Sequence, residues 1–175
     1  MNTHTTRKTL TQQILAFLGF LVPSVLAGGL GTLFTIPNVD GWYAEAEKVA
    51  WSPPNWLFAP TWSALYFLIA LSAWLIWRNT DERLRKARKT ALIVYAIQIV
   101  LNGLWTPVFF GGYPAFGSLA LWIGLVIIVA LAVTIVIMIA KYRKISALAA
   151  WLMLPYLLWI LFATSLNAGV AILNP

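Results

Sequence analysis

The chain has 175 residues, of which 61% are hydrophobic and only 10% are charged, and its formal net charge is +7. This composition excludes an ordinary water-soluble globular domain. With no cysteine and a single histidine, the chain cannot form disulfides, thiolate metal sites or a cysteine nucleophile. All five acidic residues lie outside the apolar runs described below, so the sequence offers no cluster for metal binding or acid–base catalysis.

Five uncharged apolar runs follow one another along the chain. Each is long enough to cross a hydrocarbon core of roughly 30 Å as a helix. They cover approximately residues 14–34, 56–77, 90–110, 114–140 and 146–173. The sequence therefore predicts an all-α membrane protein, a bundle of five transmembrane helices over residues 14–173, preceded by a cytoplasmic tail of residues 1–13.

The first apolar run also allows a different interpretation. Arg7 and Lys8, the apolar stretch after them and the Val-Leu-Ala sequence at residues 25–27 together resemble a signal peptide with a small-residue cleavage site. Against this, the apolar run continues beyond that sequence as far as Phe34. We therefore expect a helix that is retained in the mature protein.

The basic residues are distributed very unevenly. Eleven of the twelve Lys and Arg residues lie in the N-terminal tail and in the second and fourth connections, and only Lys48 lies on the opposite side. The positive-inside rule then places the N-terminus in the cytoplasm and the C-terminus outside. Because this distribution also explains the isoelectric point near 10.0, the expected partner is the lipid bilayer and not nucleic acid.

The most distinctive stretch spans the end of the first connection and the start of the second run. Residues 51–66 read Trp-Ser-Pro-Pro-Asn-Trp-Leu-Phe-Ala-Pro-Thr-Trp-Ser-Ala-Leu-Tyr. Trp and Tyr have a flat apolar body and one polar end, which suits the boundary between bilayer and water. The same properties suit the walls of a site for a flat ligand. The composition of the stretch leaves both interpretations open.

Polar side chains recur on one face of the third run. Gln98, Asn102 and Thr106 follow one another at intervals of four residues. Such a stripe is expected to face the bundle interior, because lipid offers its polar groups no partner. It indicates either hydrogen bonds between helices or the lining of a ligand cavity.

The fourth and fifth runs differ in pattern. The fourth is apolar on every side, which predicts a position at the periphery of the bundle against lipid. The fifth carries Tyr156, Trp159 and Ala163 at helical spacing, which marks one inward face. Pro155 should kink this helix, because proline removes one backbone hydrogen bond.

Three motifs, in this order, resemble those of one membrane protein family. They read Trp-x-Pro-Pro-x-Trp-x-Phe-x-Pro-x-Trp-x-x-Leu-Tyr at residues 51–66, Gln-x-x-x-Asn-x-x-Trp at residues 98–105 and Trp-x-x-x-Pro-Tyr-x-x-Trp at residues 151–159. Over residues 20–168 the chain is thereby similar to the TspO/translocator protein family, the tryptophan-rich sensory proteins that include the peripheral-type benzodiazepine receptor. It looks like a bacterial member.

The resemblance implies a five-helix receptor or sensor in the bacterial cell membrane that binds tetrapyrroles such as protoporphyrin IX. Porphyrin transport or light-dependent degradation are possible extensions, and the porphyrin is then a ligand and not a cofactor. Family members are often dimeric, so a homodimer is a possible assembly. The alternative is a small membrane transporter of a different hydrophobic metabolite. A coupled carrier and an enzyme with its own acid–base groups are both disfavoured, because no charged side chain lies within a run.

The resemblance also assigns candidate site residues. Carried over residue by residue, the family's pocket corresponds to Tyr43, Pro53, Trp62, Tyr66, Asn102, Trp105, Phe109, Trp159 and Ala163. The inward stripes of the third and fifth runs add Gln98 and Tyr156. Trp62 and Trp159 match positions implicated in light-dependent porphyrin degradation and are the candidates for photochemistry. No metal site is expected.

The chain departs from the family pattern at three places. In the first connection Ala46 and Val49 replace a leucine and a proline, which predicts a less rigid loop. After Asn167 the chain lacks the aromatic and basic residues of the animal sterol motif. On the third run Ile93 and Ile97 occupy the positions of a glycine pair that forms a possible dimer seam. A homodimer must therefore use another surface.

Overall fold

The computed structural model describes residues 8–175 and contains helices and connecting turns there but no β-strand. Arg7 and the rest of the expected tail before it lie outside the described residues. The helices are α1 (Leu10–Val39), α2 (Trp42–Glu45), α3 (Phe58–Arg78), α4 (Arg85–Thr106), α5 (Gly112–Phe116), α6 (Ser118–Arg143), α7 (Ala147–Leu152) and α8 (Leu154–Leu173). Short 3₁₀ turns at Asn55–Leu57 and Glu82–Leu84 precede α3 and α4, and a π-helical turn at Pro107–Gly111 joins α4 to α5.

Five segments of this structure are long and apolar enough to span a membrane. They are Leu10–Val39, Asn55–Arg78, Glu82–Phe116, Ser118–Arg143 and Ala147–Leu173. The prediction of an all-α, five-helix membrane bundle is confirmed. Within the bundle α1 packs against α3 and α4, while α6 packs against both α4 and α8.

Helix α1 is longer than the apolar run that predicts it. At its start Thr9 Oγ1 accepts a hydrogen bond from the backbone N–H of Gln12 (3.3 Å), and Gln12 Oε1 accepts one from the N–H of Thr9 (3.0 Å). This capping box starts the helix before the apolar run begins. Near its end the helix passes through Pro37, where Asn38 Nδ2 donates to the carbonyl of Phe34 (2.8 Å) and supports the last turn.

The boundary between the third and fourth spanning segments lies later than the sequence predicts. The chain remains helical through the glycine pair at residues 111–112 and turns only at Gly117, where φ is 57°. This left-handed conformation is easily adopted by glycine and rarely by other residues. Residues 114–116 therefore belong to the third segment, and the predicted start of the fourth at residue 114 moves to Ser118.

The prediction that α6 lies at the periphery agrees with one of its faces and is wrong for the opposite face. Leu121, Ile128 and Ile135 are completely buried on the side that packs against α4 and α8. Val126 and Val133 are exposed on the opposite side. Lipid and a protein core are equally apolar, so hydrophobicity alone could not indicate which face of α6 is buried.

The last spanning segment is interrupted, as Pro155 predicts. Helix α7 ends one residue before Met153 and α8 begins one residue after it. Pro155 lies in the first turn of α8, where its missing N–H would have no intrahelical partner. The interruption at Met153 lies three residues before Tyr156, less than one helical turn from this candidate site residue.

Candidate functional site

Four polar side chains from three helices form one hydrogen-bonded chain in the bundle interior, here called the amide–tyrosine network. The hydroxyl of Tyr66 on α3 donates to Oδ1 of Asn102 on α4 (3.4 Å). Asn102 Nδ2 donates to the hydroxyl oxygen of Tyr156 on α8 (3.0 Å). The Tyr156 hydroxyl in turn donates to Oε1 of Gln98 on α4 (3.0 Å). All four residues belong to the predicted site.

The network is buried because the surrounding helices approach closely. Gln98 and Asn102 lie one turn apart on α4 and are both buried, with Tyr156 completely inaccessible. Helix α1 covers Tyr66 through Gly28, where a Cβ atom would lie only 2.3 Å from Cε2 of the tyrosine ring. Glycine at residue 28 therefore lets α1 close over the network, and this residue is not among the predicted site residues.

Trp62 forms an aromatic wall beside the network. Its ring stacks on that of Tyr66 with 5.3 Å between centroids and an interplanar angle of 26°. It also meets the ring of Tyr156 edge-on at 6.4 Å. Trp62 and Tyr66 lie four residues apart on α3, so one helical turn places both rings on the same face.

Besides Ser52 and Tyr142, two predicted site residues carry a buried donor without a hydrogen-bond partner among residues 8–175. They are Nε2 of Gln98 and Nε1 of Trp159. The Trp159 ring contacts Phe58 and Phe162, each at 5.6 Å between centroids, and lies less than one turn from Tyr156 on α8. A buried donor without a partner costs about 1–3 kcal/mol. These two N–H groups therefore favour a guest that carries hydrogen-bond acceptors.

A second set of rings lies closer to the first connection and is called the loop-side aromatic group. Its members are Trp42, Tyr43, Trp105, Phe109, Phe110 and Tyr113. Trp105 stacks on Phe109 at 5.4 Å, and its Nε1 donates to Oδ1 of Asn167 on α8 (3.0 Å). Asn167 Nδ2 donates to the backbone carbonyl of Leu121 on α6 (2.9 Å). The polar atom of Trp105 is thus already engaged in joining three helices.

Tyr43 covers the loop-side aromatic group from the first connection. Its ring meets Phe109 at 6.1 Å and Phe110 at 5.2 Å between centroids. Burial raises the pKa of the Tyr43 hydroxyl above its ordinary value, so this phenol stays neutral. The ammonium group of Lys48 lies over the Tyr43 ring, 4.8 Å from its centroid, and donates to the carbonyl of Ala46 (3.0 Å).

The first connection, between α1 and α3, is held against α8 and the residue after it by side chains that do not belong to the predicted site. Asn174 Oδ1 accepts from the backbone N–H of Glu47 (3.0 Å), and Asn174 Nδ2 donates to the carbonyl of the same residue (3.0 Å). Val49 fits against Gly169, where a Cβ atom would lie 2.3 Å from Val49 Cγ1. Val49, expected to loosen the loop, is therefore one of its contacts with α8.

Other predicted positions lie at the margins of these groups. Ala163 is buried in the apolar cluster that also contains Tyr156. Pro53 is half-buried in the first connection, two residues before the 3₁₀ turn that leads into α3. Thr106, the third member of the polar stripe, faces α1, because a Cβ atom at Gly31 would lie 3.2 Å from its Oγ1. The stripe thus divides between the network and the contact with α1.

Comparison with known proteins agrees with this architecture. The sequence model of the TspO/MBR family matches residues 19–173. The tryptophan-rich protein TspO of Archaeoglobus fulgidus is 40% identical over 161 residues, which cover 88% of this chain and 96% of that protein. The translocator protein of Ovis aries is 38% identical over 154 residues (86% and 85%), and the tryptophan-rich sensory protein of Cereibacter sphaeroides is 33% identical over 158 residues (90% and 90%). This chain belongs to the TspO/MBR family of integral membrane proteins.

Proposed function

We propose that this protein is a membrane receptor that binds a flat tetrapyrrole, with protoporphyrin IX as the best candidate, between α3, α4 and α8. Membership of the TspO/MBR family supports a sensor or receptor role. Relatives bear the names tryptophan-rich sensory protein and translocator protein. The binding element is the amide–tyrosine network together with the ring of Trp62.

The observation that carries the proposal is the chemistry of the network. A porphyrin has a large apolar ring that aromatic side chains can stack on, and carboxylate oxygens that accept hydrogen bonds. The network combines stacked rings with amide and phenol groups, and two buried N–H groups near it lack partners among residues 8–175. A bound acceptor would remove the cost of leaving these donors unpaired.

Binding requires the network to rearrange, because its side chains now contact one another directly. Trp62 and Tyr66 stack ring on ring, and the Tyr66 hydroxyl bonds to Asn102. A macrocycle inserted between the two rings replaces one aromatic contact by two. The exchange is energetically reasonable because aromatic pairs contribute about 0.5–1.5 kcal/mol beyond their buried area.

The test is a titration of the purified protein with protoporphyrin IX, followed by quenching of tryptophan fluorescence. Asn102→Leu removes both bonds of the central amide and should weaken binding by about 1–2 kcal/mol, roughly 5- to 30-fold. Asn38→Leu, half-buried at the end of α1, serves as the matched control and should bind as the wild type does. Equal affinity of wild type and a folded Asn102→Leu variant would remove the network from the site.

The orientation in the membrane forms part of the proposal. We infer that the N-terminus is cytoplasmic and that the first connection opens to the outside, since eleven of the twelve basic residues flank the opposite ends of the spans. A reporter fused after Pro175 that is active only outside the cytoplasm should therefore be active. Activity of a cytoplasm-dependent reporter at the same position would reverse the assignment.

A further inference from the structure

A basic cavity lies at the opposite end of the bundle from the candidate site. It has a volume of about 220 Å³ and lies between the start of α4 and the end of α6. Its lining consists of Lys86, Ala87 and Thr90 from α4 and Lys141 and Lys144 from α6. Three lysines therefore line one small space, and the proposed tetrapyrrole site makes no use of them.

No carboxylate within residues 8–175 forms an ion pair with these lysines. Among residues 8–175 the only ion pair joins Arg83 to Asp81 (2.9 Å). The Asp81 carboxylate accepts two side-chain hydrogen bonds from that arginine, which lower its pKa and hold it in the 3₁₀ turn before α4. Like charges that line one cavity repel one another, so an anion bound there would be attracted by all three lysines.

An apolar surface continues from the cavity toward the middle of the membrane. On α4, Ile93 and Ile97 follow Lys86 and Thr90 at helical spacing, and both isoleucines are exposed. On α6, Ile137 and Val133 follow Lys141 in the same way and are also exposed. Helices α4 and α6 pack against each other, and each carries an exposed apolar row that leads away from the lysines at its basic end.

We propose that this cavity binds the phosphate of an anionic phospholipid, with its acyl chains lying along the exposed residues of α4 and α6. Basic pockets between transmembrane helices, next to the cytoplasmic leaflet, are a recurrent site for such headgroups. The recognised chemistry is a phosphate anion, which free phosphate shares. The apolar rows below the lysines favour a lipid as its source, because free phosphate gains nothing from them.

The test uses the full chain in detergent and native mass spectrometry, with dioleoylphosphatidylglycerol and dioleoylphosphatidylcholine as alternative probes. The wild type should bind the anionic lipid at least about tenfold more tightly. Replacing Lys86, Lys141 and Lys144 together by Gln should weaken that binding on the order of 100-fold, because the direct charge-assisted contacts of all three lysines with the phosphate are lost. Binding of the zwitterionic lipid should not change.

A matched control removes the same charge beside the cavity. Arg85, Lys89 and Arg143 are exposed at this end and do not line the cavity. Their joint replacement by Gln should weaken binding of the anionic lipid by no more than about threefold. These residues make no contact in the cavity, so only the long-range attraction between the basic end of the protein and the anionic headgroup is reduced. An equal loss in both triple variants, or equal affinity of the wild type for the two lipids, would overturn the proposal.

A second comparison separates lipid from free phosphate. Excess inorganic phosphate or glycerol phosphate should fail to displace the anionic lipid, and Ile93→Ala with Ile137→Ala should weaken the lipid alone by several-fold, since buried methylene groups are lost. Displacement by phosphate at matched concentration would overturn the lipid as the ligand. If the triple Lys variant misfolds, as judged by helical content, Lys141→Gln carries the same test with a roughly fivefold expected loss.

Discussion

Two buried groups of polar side chains, one in each half of the bundle, satisfy their hydrogen bonds in different ways. In the amide–tyrosine network the partners are other side chains from three helices. In the half nearer the basic end, Tyr95 donates its hydroxyl to the backbone carbonyl of Phe20 (2.8 Å), and Ser24 donates to the same carbonyl (3.0 Å). Ser72 likewise donates to the carbonyl of Ile69 (3.0 Å). Side-chain contacts here are secondary to these backbone bonds: the Ser24 and Tyr95 hydroxyls lie 3.4 Å apart, and Ser72 Oγ lies 2.9 Å from Met153 Sδ.

The difference separates polar groups that hold helices together from polar groups that can receive a guest. A hydroxyl bonded to a helix carbonyl uses a fixed acceptor, and moving it means moving the helix. A side chain bonded to another side chain can rotate and exchange its partner for a ligand atom. Buried donors without a partner among residues 8–175 occur in both halves, at Gln98 and Trp159 near the network and at Tyr142 nearer the basic end, so the kind of partner distinguishes the two groups and the unpaired donors do not.

The largest effect should follow from a methyl group at residue 28. Gly28→Ala places a Cβ atom 2.3 Å from the Tyr66 ring, so the ring must move and lose its bond to Asn102 or its stack on Trp62. Such overpacking costs about 1–3 kcal/mol, and protoporphyrin IX titration should show binding weakened tenfold or more. At Gly29 a Cβ atom would meet nothing within 4 Å. Gly29→Ala is therefore the matched control, and an equal loss there would contradict the role of the close approach.

Removing one hydroxyl from each polar group tests the comparison directly. Tyr156→Phe leaves Asn102 Nδ2 and Gln98 Oε1 without a partner, so porphyrin binding should weaken by about 1–2 kcal/mol. Tyr95→Phe removes a hydrogen bond to the backbone and should lower the free energy of unfolding by about 0.6 kcal/mol. The thermal unfolding midpoint should therefore fall slightly, while the affinity for porphyrin should not change. Both quantities are measured on both variants, by titration and by thermal unfolding. Loss of affinity in Tyr95→Phe would show that the two groups are not distinct.

The sequence could predict the network but not the parts that close over it. Gln98 and Asn102 repeat at helical spacing on an apolar helix, so their inward direction follows from the cost of burying polar groups in lipid. The pairing of Gly28 with Tyr66 and of Asn174 with Glu47 depends on how two distant segments dock. No local pattern encodes that geometry. The buried face of α6 could not be predicted either, since the apolar residues of this helix suit lipid and protein alike.

A smaller effect on affinity is expected from the two tryptophans of the site. Trp62→Phe and Trp159→Phe keep most of the apolar ring area, so each should bind protoporphyrin IX within about tenfold of wild type, which is 1.4 kcal/mol. If the protein degrades porphyrin in light, each variant should suppress the loss of the porphyrin's main absorption band. The reason is that the substitution removes an indole, which is more easily oxidised than the phenyl ring that replaces it. Trp151→Phe, on the exposed side of α7, is the control. Unchanged bleaching in both site variants would leave the indoles as walls only.

The smallest effect should come from the fastening of the first connection, which lies between the candidate site and the surface. Asn174→Ala removes two hydrogen bonds to Glu47, but the groups are exposed and water replaces the lost partners, so affinity should change by less than about 1 kcal/mol. The rate of ligand release should rise a few-fold instead, because a connection held at fewer points opens more often. Stopped-flow recovery of tryptophan fluorescence measures this rate, and Asn38→Ala, whose bond stays within its own helix, is the control. An unchanged release rate would mean that the ligand leaves between the helices and not past the first connection.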